Sequence, residues 1–261
     1  MRVLIDPGHG PKSKNGGALG YLEHEGMWKV SSYLKAILEK EGVTVSMTRK
    51  FNDDPTLYER GTMAQGYDIF ISEHSNARAD TAYRGASCYH SLQRSSAEWA
   101  GALSKASAQV MGNPDRGAKT RHASYSTQVD FYGVIRHAAG TDCKHIFLAE
   151  SGYHSNLQDE RWLMNDDNLQ KLAGAHAKVI FQILGIEKEV GKMVDKLDRA
   201  PHSWEVSGLE WLVEMGYLDE GRHLPHEVMT KGLFGTLMKR MRFEVGGQVV
   251  IGDGKVSHAK R

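Results

Sequence analysis

Cysteine is scarce in this 261-residue chain. Cys88 and Cys143 stand alone, with no CxxC pair, which excludes a disulfide framework and argues against a cysteine-bound metal. Proline is also sparse at 6, so the 28 glycines do not signal a collagen-like or linker-like polymer. Lys+Arg 33 against Asp+Glu 32 leaves a formal charge of +1, without the basic stripe that nucleic-acid binders carry. Apolar runs such as Val3-Leu4-Ile5 and Val249-Val250-Ile251 are far short of the roughly 18 residues of a membrane span. The N-terminal stretch reaches Asp6 too soon to hold the apolar core of a signal peptide. The expectation is a protein made in the cytoplasm, with neither nucleic acid nor membrane as partner.

What is present is an alternation of strand and helix signals. Arg2 to Ile5 reads as a buried strand entering a glycine-rich loop. Met27, Val30, Leu34, Ile37 and Leu38 recur at helical spacing, and Gly42 closes that helix before a strand at Val43 to Met47. Strand, crossover helix and strand imply a parallel pair. The same reasoning gives a helix at 57–65, strands at 68–72 and 86–90, and a helix at 97–111. The stretch 112–129 reads as a long surface loop, 131–135 and 145–149 as strands, and 169–183 as a helix ended by Gly185. The fold class is α/β: a mostly parallel twisted sheet with helices on both faces, plus a small mixed C-terminal module. Three divisions follow: a main domain at 1–186, a charged linker or helical extension at 187–200, and a module at 201–261. The module shows short helices around Val206 to Val213 and Leu233 to Met241. Its tail, Phe243 to Val256, reads as hairpins around Gly246-Gly247 and Asp253-Gly254.

In an open parallel sheet, ligands bind outside the carboxyl ends of the strands. The first strand delivers His9 to that edge, the strand at 68–72 delivers Glu73 and His74, and the strand at 145–149 delivers Glu150. A helix start at Glu23 to Glu25 lies near the same edge. Two histidines and a carboxylate are the ligand types of a catalytic zinc with an open fourth position. Each residue also has an ordinary reading: His9 capping a turn, His74 satisfied by backbone, Glu150 in a salt bridge. Convergence is what favours chemistry. His90, His122, His137, His145, His154 and His176 have no spacing that favours coordination, and read as surface or core residues.

Three segments carry a resemblance. Ile5-Asp6-Pro7-Gly8-His9-Gly10, Ile71-Ser72-Glu73-His74-Ser75-Asn76-Ala77 and Leu148-Ala149-Glu150-Ser151-Gly152-Tyr153-His154-Ser155-Asn156 resemble the signature segments of zinc-dependent N-acetylmuramoyl-L-alanine amidases. Val45-Ser46-Met47-Thr48-Arg49 and Leu57-Tyr58-Glu59-Arg60 resemble that family as well, and the likeness runs in order from Val3 to Leu184. The resemblance implies one Zn2+ held by His9, a helix-start glutamate and His74, with Glu150 as catalytic acid/base. Counting back from Trp28 and Gly42 by the family's spacing lands on Glu23, which leaves Glu25 as a first-turn acid facing the helix dipole. Two positions depart from the family pattern: Glu73, usually apolar or small, and Ser151, often apolar. Glu73, next to His74, is expected to alter the electrostatics around the metal. Asn76 is a candidate to bind substrate or brace His74, and Arg49 and Arg60 are expected to hold carboxylates or helix ends.

The function implied is zinc-dependent hydrolysis of the amide between N-acetylmuramic acid and L-alanine in peptidoglycan. Without an export signal, the expected setting is a phage or prophage endolysin that reaches the cell wall after release. Two alternatives stand beside it: a zinc metallopeptidase cutting within the stem peptide, and a non-catalytic cell-wall-binding protein on an amidase fold. In the C-terminal module, Trp204, Trp211 and Tyr217 read either as a small helical core or as a sugar platform. By analogy with modular wall hydrolases, the module is expected to bind cell wall.

Overall fold

The apolar run at the N-terminus forms the middle of strand β1 (Arg2–Pro7), in a computed structural model that describes residues 1–94 and 96–186. It also describes the backbone of three short strands between 242 and 257. Helix α1 (Glu23–Lys40) crosses over to β2 (Thr44–Met47), which pairs parallel with β1, Val3 opposite Val45. Gly42 ends the helix as expected. Its φ of 78° lets its N–H reach Glu39 O while Val43 N–H reaches Leu38 O, so the last turn's carbonyls are capped as the chain leaves the helix.

β3 (Ile69–Asn76) and β8 (His145–Tyr153) complete a parallel core, and β4 (Ala86–His90) adds antiparallel to β8. The six-stranded sheet has the order β2-β1-β3-β8-β4-β5, where β5 is Asp115–Lys119. Alternation along the strands divides the buried side chains between two faces. Val3, Ile5, Ile69, Ile71 and Phe147 pack with α1, α3 (Ala97–Met111) and α6 (Asp166–Ile183). Leu4, Phe70, Ile146 and Leu148 pack with Ala64 and with α4 (Gly133–Ala139). A slip of one residue would exchange the faces, so the register of β1, β3 and β8 is fixed on both sides. The α/β class and the helices on both faces are as the sequence indicates.

Several elements differ from expectation. The stretch 112–129 is not a loop but holds β5, β6 (His122–Ala123) and β7 (Ser126–Asp130), the last two forming a separate antiparallel pair. β5 is the outermost strand of the large sheet and mostly exposed, so no apolar alternation marks it. The strand expected at 131–135 is the start of α4, because Val134, Ile135 and Ala138 at helical spacing cover Phe70 and Leu148. α2 (Leu57–Thr62) is shorter than expected and begins at a capping box between Thr56 and Glu59. α5 (Leu157–Leu163) was not foreseen; the Asn156 side chain caps it by accepting from Gln158 and Asp159 N–H groups. β3 and β8 also run past Ser72 and Ala149, so Glu73, His74 and Glu150 lie within strands.

The chain falls into two units, Met1–Ala200 and Pro201–Arg261. In the second, β9 (Arg242–Val245), β10 (Gln248–Ile251) and β11 (Val256–Ser257) pair antiparallel in the order β11-β10-β9. Val245 opposes Gln248 across Gly246-Gly247, matching the first hairpin read from the sequence. The linker at 187–200, the helices around Val206 to Val213 and Leu233 to Met241, and Trp204, Trp211 and Tyr217 lie outside the described residues. No helix among the described residues is long and apolar enough to cross a membrane.

Candidate metal centre

β1 ends at Pro7, and the chain then turns sharply. Gly8 N–H donates to Glu73 O at 2.9 Å, holding the turn against β3. A Cβ at Gly8 would collide with that carbonyl oxygen and lie 2.6 Å from His74 Cε1, so the approach requires glycine. His9 follows with φ 57°, the one non-glycine residue at positive φ among the described residues. Arg49 secures the turn from beneath: its guanidinium donates to the carbonyls of Pro7, Gly8 and His24, and to those of Lys50 and Phe51. One buried side chain thereby ties the loop bearing His9 to the first turn of α1.

That first turn supplies Glu23, which is 2% exposed. Its Oε1 lies 3.0 Å from His74 Nδ1 and accepts from Ser75 N–H at 3.0 Å, while Oε2 lies 3.2 Å from His9 Nε2. The donor atoms of His9, Glu23 and His74 all fall within 4.8 Å of one another. A further hydrogen-bond chain orients His74. Ser72 O–H donates to Asp6 Oδ2 at 2.6 Å, so Ser72 Oγ, 3.1 Å from His74 Nε2, accepts from that nitrogen. Asp6 accepts in turn from Thr48 and Arg60. Nε2 is thus committed to the protein and Nδ1 faces the cluster, the arrangement of a ligating imidazole whose other N–H is anchored. Two imidazole nitrogens and a carboxylate fit a zinc site that keeps a position open.

Electrostatics follow from this packing. Burial alone would raise Glu23, but hydrogen bonds with His74 and His9 and their charges outweigh it and hold the carboxyl far below its usual range. Burial pulls His74 down, yet the Glu23 hydrogen bond and the charges of Glu23 and Glu150 overcome it and bring the imidazole to about 9. A cation entering the cluster must therefore displace a proton from His74.

Glu150 stands opposite His74 in the β3–β8 ladder, on the same sheet face. It is 7% exposed, and its Oε2 is buried without a hydrogen-bond partner. Burial, reinforced by the charge of Glu23, raises its pKa to about 7 against the opposing pull of His74 and Lys119. A carboxyl poised near neutrality with a free oxygen can both take and return a proton.

The four residues expected from the sequence thus assemble in one place. Of the two helix-start acids, Glu23 enters the cluster. Glu25 is half-exposed, with only the His24 ring, at 4.0 Å, beside its carboxylate among the described ionisable groups. Asn76 does not brace His74, whose ring partners are Glu23 and Ser72; its Oδ1 accepts from Ala77 N–H. Glu73 is a correction: strand alternation turns it to the opposite sheet face, where it meets His176 rather than the cluster. His154 was passed over. It is buried, accepts or donates at Ser75 Oγ over 2.9 Å, and its Nδ1 is 4.0 Å from Glu23 Oε2. Only its place in the segment after Glu150 hinted at this.

A family model described as N-acetylmuramoyl-L-alanine amidase (Amidase_3) matches residues 3–182. The chain is 27% identical over 214 residues to an endolysin of Bacillus phage SPP1, covering 77% of this chain and 72% of that one. It is 24% identical over 197 residues to the N-acetylmuramoyl-L-alanine amidase CwlM of Bacillus licheniformis, covering 74% and 72% respectively. Among solved structures, it resembles the catalytic domain of the amidase CwlV from Bacillus (Paenibacillus) polymyxa. That match has a TM-score of 0.61 at 26% identity and covers 72% of this chain and 99% of that domain.

Proposed function

This chain belongs to the N-acetylmuramoyl-L-alanine amidase family, an enzyme family acting on peptidoglycan, and on that premise we propose a zinc-dependent mechanism at the cluster. His9, Glu23 and His74 hold a single Zn2+, and Glu150 is the catalytic acid/base. The observation that carries this reading is the meeting of His9, Glu23 and His74 donor atoms beside a buried carboxyl with an unpartnered oxygen.

The bond to be cut joins the lactyl group of N-acetylmuramic acid to L-alanine. An amide is a weak electrophile with a poor leaving group. Bound zinc supplies Lewis acidity at the carbonyl and acidifies water to a pKa of about 7. Glu150 accepts the proton of the attacking water and passes it to the departing nitrogen, a role typically worth about 10²–10⁴ in rate. Ser72 and Asp6 hold His74 in the ligating tautomer. Arg49 keeps the His9 loop and the Glu23 helix start in one piece.

Mass spectrometry of products from purified peptidoglycan tests the assignment. Amidase action frees an N-terminal alanine and leaves muramyl sugars intact, and chelation abolishes it. New termini within the stem peptide would instead identify a metallopeptidase. Undiminished cleavage in chelator would remove the zinc mechanism.

The likeness to a phage endolysin supports a lytic role against the cell wall. Lysis of whole cells by the purified protein would be its readout. Asn76, near the carboxyl end of β3, is proposed to contact substrate. Residues 1–186 are proposed as the catalytic domain and 201–261 as a wall-binding module. Equal retention on purified walls with and without the module would refute the second assignment.

A further inference from the structure

On the face of the sheet away from the cluster lies a second polar chain, entirely buried. His176 of α6 donates from Nδ1 to Glu73 Oε1 at 2.9 Å, and its Nε2 is 2.7 Å from Ser107 Oγ on α3. Ser107 Oγ is in turn 3.2 Å from Ser151 Oγ on β8, and 3.1 Å from Leu103 O. Glu73, His176 and Ser151 are each 0% exposed. The serine, imidazole and carboxylate are spaced like an acyl-transfer triad, but no substrate reaches groups this deeply buried. Its function lies elsewhere.

Two features indicate where. Glu73 and Ser151 are the two positions whose residue types depart from the motif segments, and this chain joins them. They are also the immediate neighbours of His74 and Glu150. Side chains alternate along a strand, so a tether on Glu73 or Ser151 acts on the backbone that carries the residue projecting from the other face. The β3–β8 ladder sets His74 opposite Glu150, but its register breaks directly afterwards, between His74 and Asn76, so on that side the tether adds a restraint that the ladder does not give. Nor is stability a sufficient reason for the pair. Apolar residues of similar volume in place of both partners of a buried polar pair are often as stable or more so.

We propose that Glu73, His176, Ser107 and Ser151 form a positioning device for the proposed zinc and acid/base site. They clamp β3 just before His74 and β8 just after Glu150 to α6 and α3, and so set the spacing of ligand and proton carrier. The proposal rests on the zinc-amidase reading of that site.

The test uses the full chain carrying Glu73→Leu and His176→Leu together. A purely structural pair predicts a folded, fully active enzyme. The positioning role predicts a melting temperature equal to or above that of the unaltered protein, with kcat on peptidoglycan lower by roughly 30–100-fold and KM within about twofold. Zinc affinity, read by chelator competition, falls about tenfold. Glu73→Gln, which keeps an acceptor for His176, restores kcat to near its original value. If the double variant does not fold, Ser107→Ala decides: it unties β8 alone, and kcat falls several-fold with zinc affinity unchanged. Turnover and zinc affinity within twofold of the parent in the folded double variant, or unchanged turnover in Ser107→Ala, overturns the proposal. If the unaltered protein with zinc leaves peptidoglycan intact, the underlying reading fails and this one with it. An active parent matched by equally active variants defeats the positioning role alone.

Discussion

Replacing Glu150 by glutamine exchanges a titrating carboxyl for a neutral amide of nearly the same shape. Glu150 does not belong to the group of converging donors, so bound zinc stays. Proton transfer goes, and turnover falls by about 10²–10⁴. Stability moves the other way. The folded chain holds this carboxyl at about 7 instead of 4.5, chiefly through burial. The protein therefore binds the Glu150 proton more tightly folded than unfolded, and ionising the group weakens the fold. That penalty is absent below pH 4.5, grows as pH rises to about 7, and is constant above. At about 1.4 kcal/mol for each tenfold change in proton affinity, its ceiling is about 3 kcal/mol. The amide's own desolvation cost takes back part of it. For a unit of this size, about 1 kcal/mol corresponds to roughly 2–4 °C in Tm. In chelator, Glu150→Gln should match the parent near pH 4.5 and melt several degrees higher at pH 8. With zinc bound, the nearby positive charge favours the carboxylate and the difference shrinks. Scanning calorimetry at both pH values, beside muropeptide release, checks both halves. A variant keeping a tenth of parental turnover refutes the acid/base role; one no more stable at pH 8 than the parent refutes the burial argument.

Other outcomes follow from the same geometry. Glu23→Gln should lose bound zinc and activity together, whereas Glu25→Gln, altering a half-exposed side chain, should keep both within about twofold; metal analysis of the purified proteins separates them. Gly8→Ala forces a methyl against Glu73 O and His74, so it should cost about 1–3 kcal/mol in thermal melts and weaken zinc binding. Because zinc must displace the His74 proton, held at about 9, its apparent affinity should rise about tenfold per pH unit from pH 7 to 9 and flatten above. A flat profile across that range would contradict the assignment of His74 as a ligand.

The parts of the molecule legible in the sequence are those with strong local or ordered signals. Met27 to Leu38 repeats at helical spacing and forms α1, and the runs around Val3, Ile69 and Ile146 form the central strands. Their parallel order brings His9, His74 and Glu150 to one edge, which is why strand ends point to these three, whereas the choice of Glu23 over Glu25 at the helix start comes from the family's spacing. Hidden from the sequence were elements whose surroundings override their pattern. β5 is polar because it is mostly exposed, and Phe131 to Ile135 looks strand-like until Ala138 and Ala139 complete a helical face. The Glu73–His176 pair spans 103 residues and depends on α6 docking behind β3, so no local spacing announces it. The same holds for the Arg49 contacts to the Pro7–Gly8 turn and to His24 in the first turn of α1, which only the folded chain brings within reach.

β5 closes one side of the large sheet, and no further strand among the described residues pairs with its outer edge. Such a rim is a template on which another chain can dock. Asp115, Arg116 and Lys119 place charge along this rim, Gly117 turns with φ 74°, and the irregular pairing with β4 bends it out of flatness. The polarity that conceals this strand from pattern reading also makes the rim a poor template for pairing with another chain.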